Sequence, residues 1–284
     1  MSLGPPLAIL CGGGALAISA ARLAKAAGRE VFLVGLVGSA SQEIESFDHV
    51  WVRIGELARF TGALRQRGVE EVAMLGAVTR PEFADVRPDW GAVKHIGEIA
   101  RLFRSGDDGL LRGVARILER EGLRIVGVGD FAPQLVAPVG RIAGGAPDDD
   151  ARADIAFGAA LLGALSPYDV GQGAVVARKR VLAVEAAEGT DAMLARVAEL
   201  RASRRLRFKG RAGVFIKAAK RGQDLRLDLP AIGVATLEAA ARAELKGVAV
   251  AAGQTLIANR AAFAAAAQAA GLFVVGFAPS TSET

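Results

Sequence analysis

The stretch VEAAEGTDAML (184–194) concentrates acidic and hydroxyl side chains at one junction between a β-rich run and a helical pattern. Glu185 and Glu188 lie within the junction, and Thr190 and Asp191 lie where the helix is predicted to begin. The start of a helix favours negative charge, so Thr190 and Asp191 could bind an anion such as a phosphate. A metal site, a solvated turn and capping of the helix by Thr190 are the other interpretations.

The segment KRGQDLRLDLPAIG (220–233) carries the most unusual charge pattern of the chain. Asp224, Arg226 and Asp228 occupy alternate positions in it. In an extended segment this spacing points all three side chains to one face. Two carboxylates that flank a guanidinium favour a functional site over a solvated edge, and the preceding predicted strand carries Lys217.

Three consecutive glycines, Gly12, Gly13 and Gly14, follow the first predicted strand and open a helix. With Ala17 they match the pattern G-x-G-x-x-A, in which glycines let backbone amides approach a phosphate at a helix start. A tight turn required for packing is the alternative. A dinucleotide-binding fold would also place an acidic residue after the second strand, and GLVGSAS (35–41) has none. A nicotinamide cofactor is therefore disfavoured.

Two further loops carry candidate binding residues. GAVTRP (76–81) ends the fourth predicted strand with Thr79 and Arg80, and YDVGQGAVV (168–176) places Gln172 between a helix and a hairpin. Together with the glycines and the loop carboxylates, these residues predict metal-assisted chemistry on a phosphorylated substrate.

Histidine and cysteine offer little to this chemistry. His49 and His95 are the two histidines and lack metal-ligand spacing, which disfavours a histidine-rich zinc site. Cys11 is the one cysteine, so an internal disulfide is impossible and a reducing compartment fits. The chemistry therefore falls to carboxylates, hydroxyls, Lys and Arg. Carboxylates and phosphates together suit Mg²⁺.

The chain of 284 residues is 52% hydrophobic and 5% aromatic, with a net charge of +5. Its basic residues are spread along the chain except in RASRRLRFKGR (201–211). An anionic substrate or an anionic lipid surface explains this excess better than a nucleic acid does. The first 21 residues carry no charge, but they lack a basic start and are interrupted by prolines and glycines, so we predict no signal peptide and no membrane-spanning segment.

Short β-like runs alternate with helical patterns along the chain, which predicts an α/β protein of two domains. Residues 1–131 are predicted to form a Rossmann-like domain, with a parallel sheet, helices on both of its faces and a nucleotide- or phosphate-binding role. Residues 132–150, rich in proline, glycine and aspartate, are interpreted as a linker. Residues 151–284 are predicted to form a mixed α/β domain.

Six motifs in the same order resemble the UDP-2,3-diacylglucosamine pyrophosphatase family of lipid A biosynthesis, in its alphaproteobacterial type rather than its metallophosphoesterase type. The resemblance covers nearly the whole chain. The motifs are GGGAL (12–16), GAVTRP (76–81), GDDGLL (106–111), DVGQGAVV (169–176), AVEAAEGTDAML (183–194) and RLDLPAIG (226–233). The sequence departs from the family pattern at Ala17, where proline is frequent, and at Ala77-Val78-Thr79, where Asn-Val-Ser is frequent.

This resemblance implies a Mg²⁺-dependent hydrolase of Gram-negative bacteria. It would split UDP-2,3-diacylglucosamine into UMP and 2,3-diacylglucosamine 1-phosphate, known as lipid X. The essential aspartate of the family precedes Leu-Pro, which assigns a catalytic and metal-binding role to Asp228 and places it, with a chamber for the acyl chains, in the C-terminal domain. A non-catalytic nucleotide-sugar or lipid-binding protein is the alternative, and a nucleotide-sugar oxidoreductase is disfavoured by the missing ribose acid.

The remaining candidates are assigned to the substrate under the same resemblance. Arg226 or Lys217 would offset charge on the transferred phosphoryl group, and Thr190 and Asp191 would hold the sugar phosphate. The other predicted substrate contacts are Gly12, Gly13, Gly14, Thr79, Arg80 and Gln172. A peripheral location on the cytoplasmic face of the inner membrane is expected, with no nucleic-acid partner. The oligomeric state, the acyl-chain length and the number of metal ions stay open.

Overall fold

The computed structural model describes residues 4–78, 86–102 and 106–279, with the backbone alone described at residues 107 and 108. The chain forms two compact units. The first comprises Met1–Pro133 together with Asp224–Asp228, and the second comprises Gln134–Gln223 and Leu229–Thr284. The chain therefore enters the first unit twice. The predicted division, with domains at 1–131 and 151–284, assigns residues 224–228 to the second domain instead.

The first unit is a five-stranded parallel sheet in the order β3-β2-β1-β4-β5, which is the Rossmann-like order. Its strands are β1 (Leu7–Cys11), β2 (Val31–Leu36), β3 (Asp48–Val52), β4 (Glu71–Leu75) and β5 (Arg124–Ile125). Its helices are α1 (Leu16–Ala26), α2 (Leu57–Arg65), α3 (Trp90–Val93), α4 (Ile96–Leu102), α5 (Asp107–Arg120) and α6 (Val128–Phe131). The predicted fold class of this domain is confirmed.

Helices cover the sheet of the first unit because its strands are apolar on both faces, as a parallel sheet requires. Phe60 and Leu64 of α2 and Leu118 of α5 form a core with Phe32 and the other strand residues of that face. The helix α1 instead buries a row of small residues, which lets it approach the sheet closely. That row contains Ala17, Ala20, Ala21 and Ala24.

The second unit is a mixed six-stranded sheet in the order β6-β13-β11-β9-β7-β8, with a small parallel pair, β10 and β12. Its strands are β6 (Gly140–Ala143), β7 (Gly173–Ala177), β8 (Arg180–Val184), β9 (Val214–Lys217), β10 (Ala231–Ile232), β11 (Gly247–Ala251), β12 (Leu256–Ile257) and β13 (Phe273–Phe277). Its helices are α7 (Asp149–Leu165), α8 (Gly189–Ala202), α9 (Val234–Arg242) and α10 (Arg260–Ala269). The predicted mixed α/β class is confirmed.

The segment 132–150, interpreted above as a linker, contributes a strand to the second sheet. Strand β6 pairs antiparallel with β13, and Asp148 caps α7 by accepting a 2.8 Å hydrogen bond from the amide of Ala151. The strand has four residues among prolines and glycines, so its composition resembles that of a loop.

The second sheet is also covered on both faces. Ile155 and Leu162 of α7 pack against Val176 and Ile216 on one face, and α8, α9 and α10 cover the other, where Phe215 and Phe263 lie in the core. No helix in the described part of the chain is long and apolar enough to span a membrane.

The polarity of the strands decides which loops of the second unit meet. Strands β9 and β7 are antiparallel, and so are β7 and β8. The carboxyl end of β9, the start of β7 and the end of β8 therefore share one sheet edge. That edge brings together the loops that carry Lys217, Gln172 and Glu185.

Candidate active site

The segment that carries Asp228 is a closed turn rather than the extended stretch predicted from its alternating charges. The amides of Leu227 and Asp228 donate to the carbonyl oxygen of Asp224 at 3.0 and 3.2 Å, and the Asp224 carboxylate accepts from the amide of Arg226 at 3.0 Å. An aspartate that bonds the backbone two residues ahead stabilises a turn. The prediction of one shared face for Asp224, Arg226 and Asp228 was therefore wrong.

Three contacts hold this turn against the rest of the first unit. Leu227 is buried in the core that contains α2 and α5, and Arg226 Nη1 lies 3.2 Å from Oε1 of Glu119 on α5. The backbone of Arg226 lies so close to Gly127 that a Cβ atom there would be 3.4 Å from the Arg226 Cα. Because Gly127 follows β5 by two residues, the turn lies at the carboxyl edge of the first sheet, where open α/β sheets bind ligands.

Arg226 is already paired with a carboxylate. Its Nε and Nη2 atoms lie 3.0 and 2.7 Å from the two carboxylate oxygens of Asp224, which is a bidentate arrangement. This hydrogen bonding lowers the pKa of Asp224 below its ordinary value and raises the pKa of Arg226. Arg226 therefore pairs with two carboxylates of the protein itself, those of Asp224 and Glu119. Asp228 follows the turn and is half-buried.

The glycine loop after β1 is packed against the end of β4. The amides of Gly12 and Gly13 donate to the carbonyl oxygens of Leu75 and Ala77 at 2.7 and 2.6 Å. A Cβ atom on Gly12 would lie 2.7 Å from the carbonyl oxygen of Ala77, so no larger residue fits there without a shift. The tight-turn interpretation therefore accounts for Gly12 and Gly13.

Gly14 differs from its two neighbours. It is exposed, has a positive φ of 88° and has open space around its Cα. It precedes α1, whose cap residue Ala15 makes no side-chain hydrogen bond. The end of the loop that faces solvent is thus the part that could contact a phosphate. The predicted contacts Thr79 and Arg80 lie outside the described residues.

In the second unit, Lys217, Glu185 and Thr190 form one connected group. Lys217 Nζ lies 2.8 and 3.1 Å from the carboxylate oxygens of Glu185 and 2.7 Å from Oγ1 of Thr190. Thr190 in turn donates to Glu185 at 2.8 Å. Lys217 and Glu185 are both buried, so each charge is offset by the other. Thr190 does not cap α8, which begins at Gly189 without a side-chain cap.

The glycines of DVGQGAVV (169–176) make room for this group. A Cβ atom on Gly173 would lie 2.5 Å from Oε2 of Glu185, and one on Gly171 would lie 2.7 Å from its Cγ atom. Between these glycines, Gln172 donates from Nε2 to Oε1 of Gln223 at 2.9 Å. The structure thus groups Gln172, Thr190 and Lys217 at one sheet edge, whereas Asp191 is exposed in the first turn of α8.

Glu185 is the residue of this edge that the predicted set of site residues omits. It interacts directly with two residues of that set, Lys217 and Thr190. Ala183 and Glu185 are both buried, whereas Val184 between them is half-buried. That alternation places a carboxylate on an inward face, and a buried charge requires a partner. The sequence signal for Glu185 is its place in the acidic junction that follows the second strand of the predicted hairpin.

The thiol of Cys11 and the two imidazoles make their hydrogen-bond contacts with groups outside the candidate residues. Burial raises the pKa of Cys11 to about 12, so the thiol stays protonated and is a poor nucleophile. His49 Nδ1 lies 2.9 Å from the carbonyl oxygen of Phe47, and His95 Nε2 lies 3.4 Å from a carboxylate oxygen of Glu121.

A metal ion held only by protein side chains finds no support among the residues that the structure describes, since three or more His, Cys, Asp or Glu side chains converge nowhere in them. Mg²⁺ differs from zinc in this respect. It usually keeps several waters and binds through one or two carboxylates together with substrate phosphates. A single half-buried carboxylate at a sheet edge, such as that of Asp228, fits this donor set.

The fold and these residues define a class: a two-domain α/β protein with a Rossmann-like unit and a carboxylate turn at the carboxyl edge of its sheet. Family models identify the class further. The model described as LpxI N-terminal domain matches residues 6–135, and the model described as LpxI C-terminal domain matches residues 138–275. The chain therefore belongs to the LpxI family.

A curated relative supports the same assignment. The chain is 41% identical over 273 residues to the UDP-2,3-diacylglucosamine pyrophosphatase LpxI of Caulobacter vibrioides, covering 96% of this chain and 98% of the relative. A solved structure, a GalE-like L-threonine dehydrogenase from Cupriavidus necator in its holo form, is 13% identical with a TM-score of 0.30 over 95% of each chain. No conclusion about function follows from that likeness.

Proposed function

We propose that this protein hydrolyses the pyrophosphate bond of UDP-2,3-diacylglucosamine, releasing UMP and 2,3-diacylglucosamine 1-phosphate. The observation that carries the proposal is the match of both halves of the chain to the LpxI family. A relative with that activity aligns with 96% of this chain. The prediction from the six sequence motifs agrees with it.

Asp228 is the residue that we assign to the chemistry. Hydrolysis joins the oxygen of water to one phosphorus, breaks the bridging P–O bond and requires a proton of the water to be accepted. A carboxylate can accept that proton or hold the cation that activates the water. Asp228 lies at the carboxyl edge of a Rossmann-like sheet, on a turn that Leu227 fixes to the core.

Asp224 and Arg226 are proposed to position Asp228. The bidentate pair between them closes the turn, and Glu119 of α5 holds Arg226 from the other side. With these two carboxylates nearby, Arg226 can still contact a phosphate oxygen, because its side chain is 47% exposed.

Mg²⁺ is proposed as the cofactor, with Asp228 as its protein ligand. When bound, this ion would neutralise charge on the pyrophosphate oxygens. The remaining candidates are proposed to bind the substrate. Gly14 and the start of α1 would contact one phosphate. Lys217, Thr190 and Gln172 would contact the substrate only where it competes with their partners Glu185 and Gln223.

The decisive experiment incubates the purified chain with UDP-2,3-diacylglucosamine dispersed in detergent and measures UMP release. Release that requires Mg²⁺, stops with EDTA and returns when Mg²⁺ is restored is the expected result. Undiminished release after metal stripping in excess EDTA would contradict the cofactor but leave the reaction intact. Binding of the substrate without release of UMP, with Mg²⁺ present, would favour a non-catalytic lipid-binding protein instead.

A further inference from the structure

Eight exposed cations cluster on the second unit, in two segments that we call the basic face. They are Arg178, Lys179 and Arg180 at the β7–β8 turn, and Arg204, Arg205, Arg207, Lys209 and Arg211 between α8 and β9. The net charge of the whole chain is +5, so the residues outside the basic face together carry a net negative charge. The excess of positive charge is therefore a local property of this face.

The two segments of the basic face are packed together. The guanidinium carbon of Arg178 lies 5.7 Å from the centre of the Phe208 ring. A Cβ atom on Gly213 would lie 2.8 Å from the carbonyl oxygen of Val176, so the chain entering β9 passes close to the end of β7. Below them, the buried Arg201 donates from Nη2 to the carbonyl oxygen of Gly210 at 2.6 Å. The segments thus form one surface.

Little negative charge is available to neutralise this surface. Arg201 is the cation that pairs with Glu244, and the buried carboxylate of Asp154 accepts from the backbone amides of Arg178 and Lys179 at 3.0 and 2.6 Å. Within the part of the chain that the structure describes, none of the eight exposed cations forms an ion pair with a carboxylate.

Three residues of the basic face have positive φ angles. Arg178 and Lys179 are the two loop residues of the β7–β8 hairpin, and their φ angles are 52° and 58°. Such two-residue turns favour Asn-Gly, because glycine and asparagine adopt positive φ at little cost. Arg204, just after α8, also has a positive φ of 58°, at a position where glycine is preferred. Three cations of the basic face thus occupy positions where the backbone geometry favours glycine or asparagine.

We propose that the basic face binds the anionic headgroups of a lipid bilayer and holds the enzyme on the membrane peripherally. The choice of a membrane over another polyanion rests on the proposed function, whose substrate is a lipid. Lys and Arg near an anionic surface attract it additively and without a shaped pocket. Phe208 is half-buried beneath Arg178 rather than exposed, so the face lacks an aromatic platform on which nucleic-acid bases could stack.

The first test measures sedimentation of the full chain with vesicles of phosphatidylcholine, alone or mixed with phosphatidylglycerol. We expect binding to the mixed vesicles only, and release as the salt concentration rises. Equal binding to both kinds of vesicle overturns the proposal. Complete displacement by inorganic phosphate at constant ionic strength would assign the face to a free phosphate. Tighter binding of a short DNA duplex than of the mixed vesicles would assign it to nucleic acid.

The second test uses the variant R178N/K179G, which removes two charges while providing the residues that the turn geometry prefers. Its melting temperature should equal or exceed that of the wild type. Its binding to the mixed vesicles should weaken by about 25-fold, since each cation near an anionic surface contributes roughly a factor of five. UMP release from detergent-dispersed substrate should be unchanged, which separates this proposal from the proposed function.

A matched control removes two exposed arginines of the first unit, in the variant R101Q/R116Q. It lowers the net charge equally and should bind the mixed vesicles like the wild type. A third variant, R204Q/R205Q, tests the other segment of the basic face and should weaken binding as R178N/K179G does. Wild-type binding by both basic-face variants, or an equal loss in the control, would overturn the proposal.

Discussion

Lys217 and Glu185 form a buried ion pair across the second sheet, with Nζ and Oε2 separated by 2.8 Å. They lie 32 residues apart in the chain, at the ends of two strands that are separated by β7. Thr190 completes the group by accepting a hydrogen bond from Lys217. The acidic junction that stands out in the sequence thus binds a lysine of the same unit, and this contact gives the first prediction.

Removing one partner of this pair should destabilise the protein strongly. Glu185→Gln leaves the Lys217 ammonium buried without a compensating charge, and we expect a loss of about 3–5 kcal/mol in the free energy of unfolding. The double variant E185Q/K217M should lose clearly less than the sum of the two single variants, because it removes both charges. Urea denaturation of the four proteins forms a double-mutant cycle, and strictly additive losses would show that the pair is not coupled.

Asp228→Asn should lower the turnover for UMP release by about 10²-fold or more, the scale typical of losing a general base or a key electrostatic group. The amide keeps the size of the side chain but can neither accept a proton nor bind Mg²⁺ as a carboxylate does. Substrate binding should persist, and a thermal melt checks that the variant folds. Turnover close to normal in Asp228→Asn would remove it from the mechanism.

Asp224→Asn is the matched comparison for Asp228→Asn and also tests a pH dependence. In the wild type, the pKa of Asp224 is lowered in the folded state, chiefly by the hydrogen bond from Arg226. The stabilisation of the folded protein by the ionised Asp224 is therefore fully present above the unfolded pKa of about 3.9. It is lost as the pH falls through the pKa of the folded state.

We expect Asp224→Asn to cost about 1 kcal/mol of stability at neutral pH, since the pair is partly exposed to solvent. The difference between wild type and variant should stay constant from pH 7 to about pH 5 and shrink below about pH 4. Denaturant titrations across this range measure it, and a difference that grows on acidification would contradict the assignment. Turnover should fall less than in Asp228→Asn.

Gly12→Ala should destabilise the first unit, because its new methyl group would lie 2.7 Å from two carbonyl oxygens. Overpacking of this kind typically costs about 1–3 kcal/mol. Gly62→Ala is the control, since Gly62 lies within α2 with open space around it, and alanine is favoured in helices by roughly 0.5–1 kcal/mol. Thermal melts should therefore move in opposite directions, and a shift of the same sign in both would contradict the packing argument.

Local patterns predicted much of the fold. Apolar runs such as LAILC (7–11) marked strands that are buried on both faces, and their alternation with helices gave the Rossmann-like class of the first unit. Strand β6 was missed because four residues among prolines and glycines carry no clear period. Residues 224–228 were predicted to be extended, but the Asp224 carboxylate closes a turn, and strand periodicity does not report such a side-chain contact.

The candidate residues were found by type, whereas their partners were not. Lys217, Thr190 and Gln172 were each selected, and the structure groups them at one sheet edge. The partner Glu185 follows from the antiparallel order of β9, β7 and β8, which a single sequence does not determine. The amides of Gly12 and Gly13 donate to carbonyl oxygens at the end of β4, which is distant in sequence. The sequence near these glycines therefore could not show that their amides are already hydrogen-bonded.

The return of the chain to the first unit at Asp224–Asp228 has a consequence for synthesis on the ribosome. The core of that unit includes Leu227, so it stays incomplete until residues 134–223 of the second unit have been translated. At translation rates of 5–20 residues per second, the interval after residue 133 is on the order of 5–20 s. During this time the nascent first unit exposes the apolar surface that Leu227 later covers. A fragment ending near residue 135 would keep that apolar surface exposed permanently.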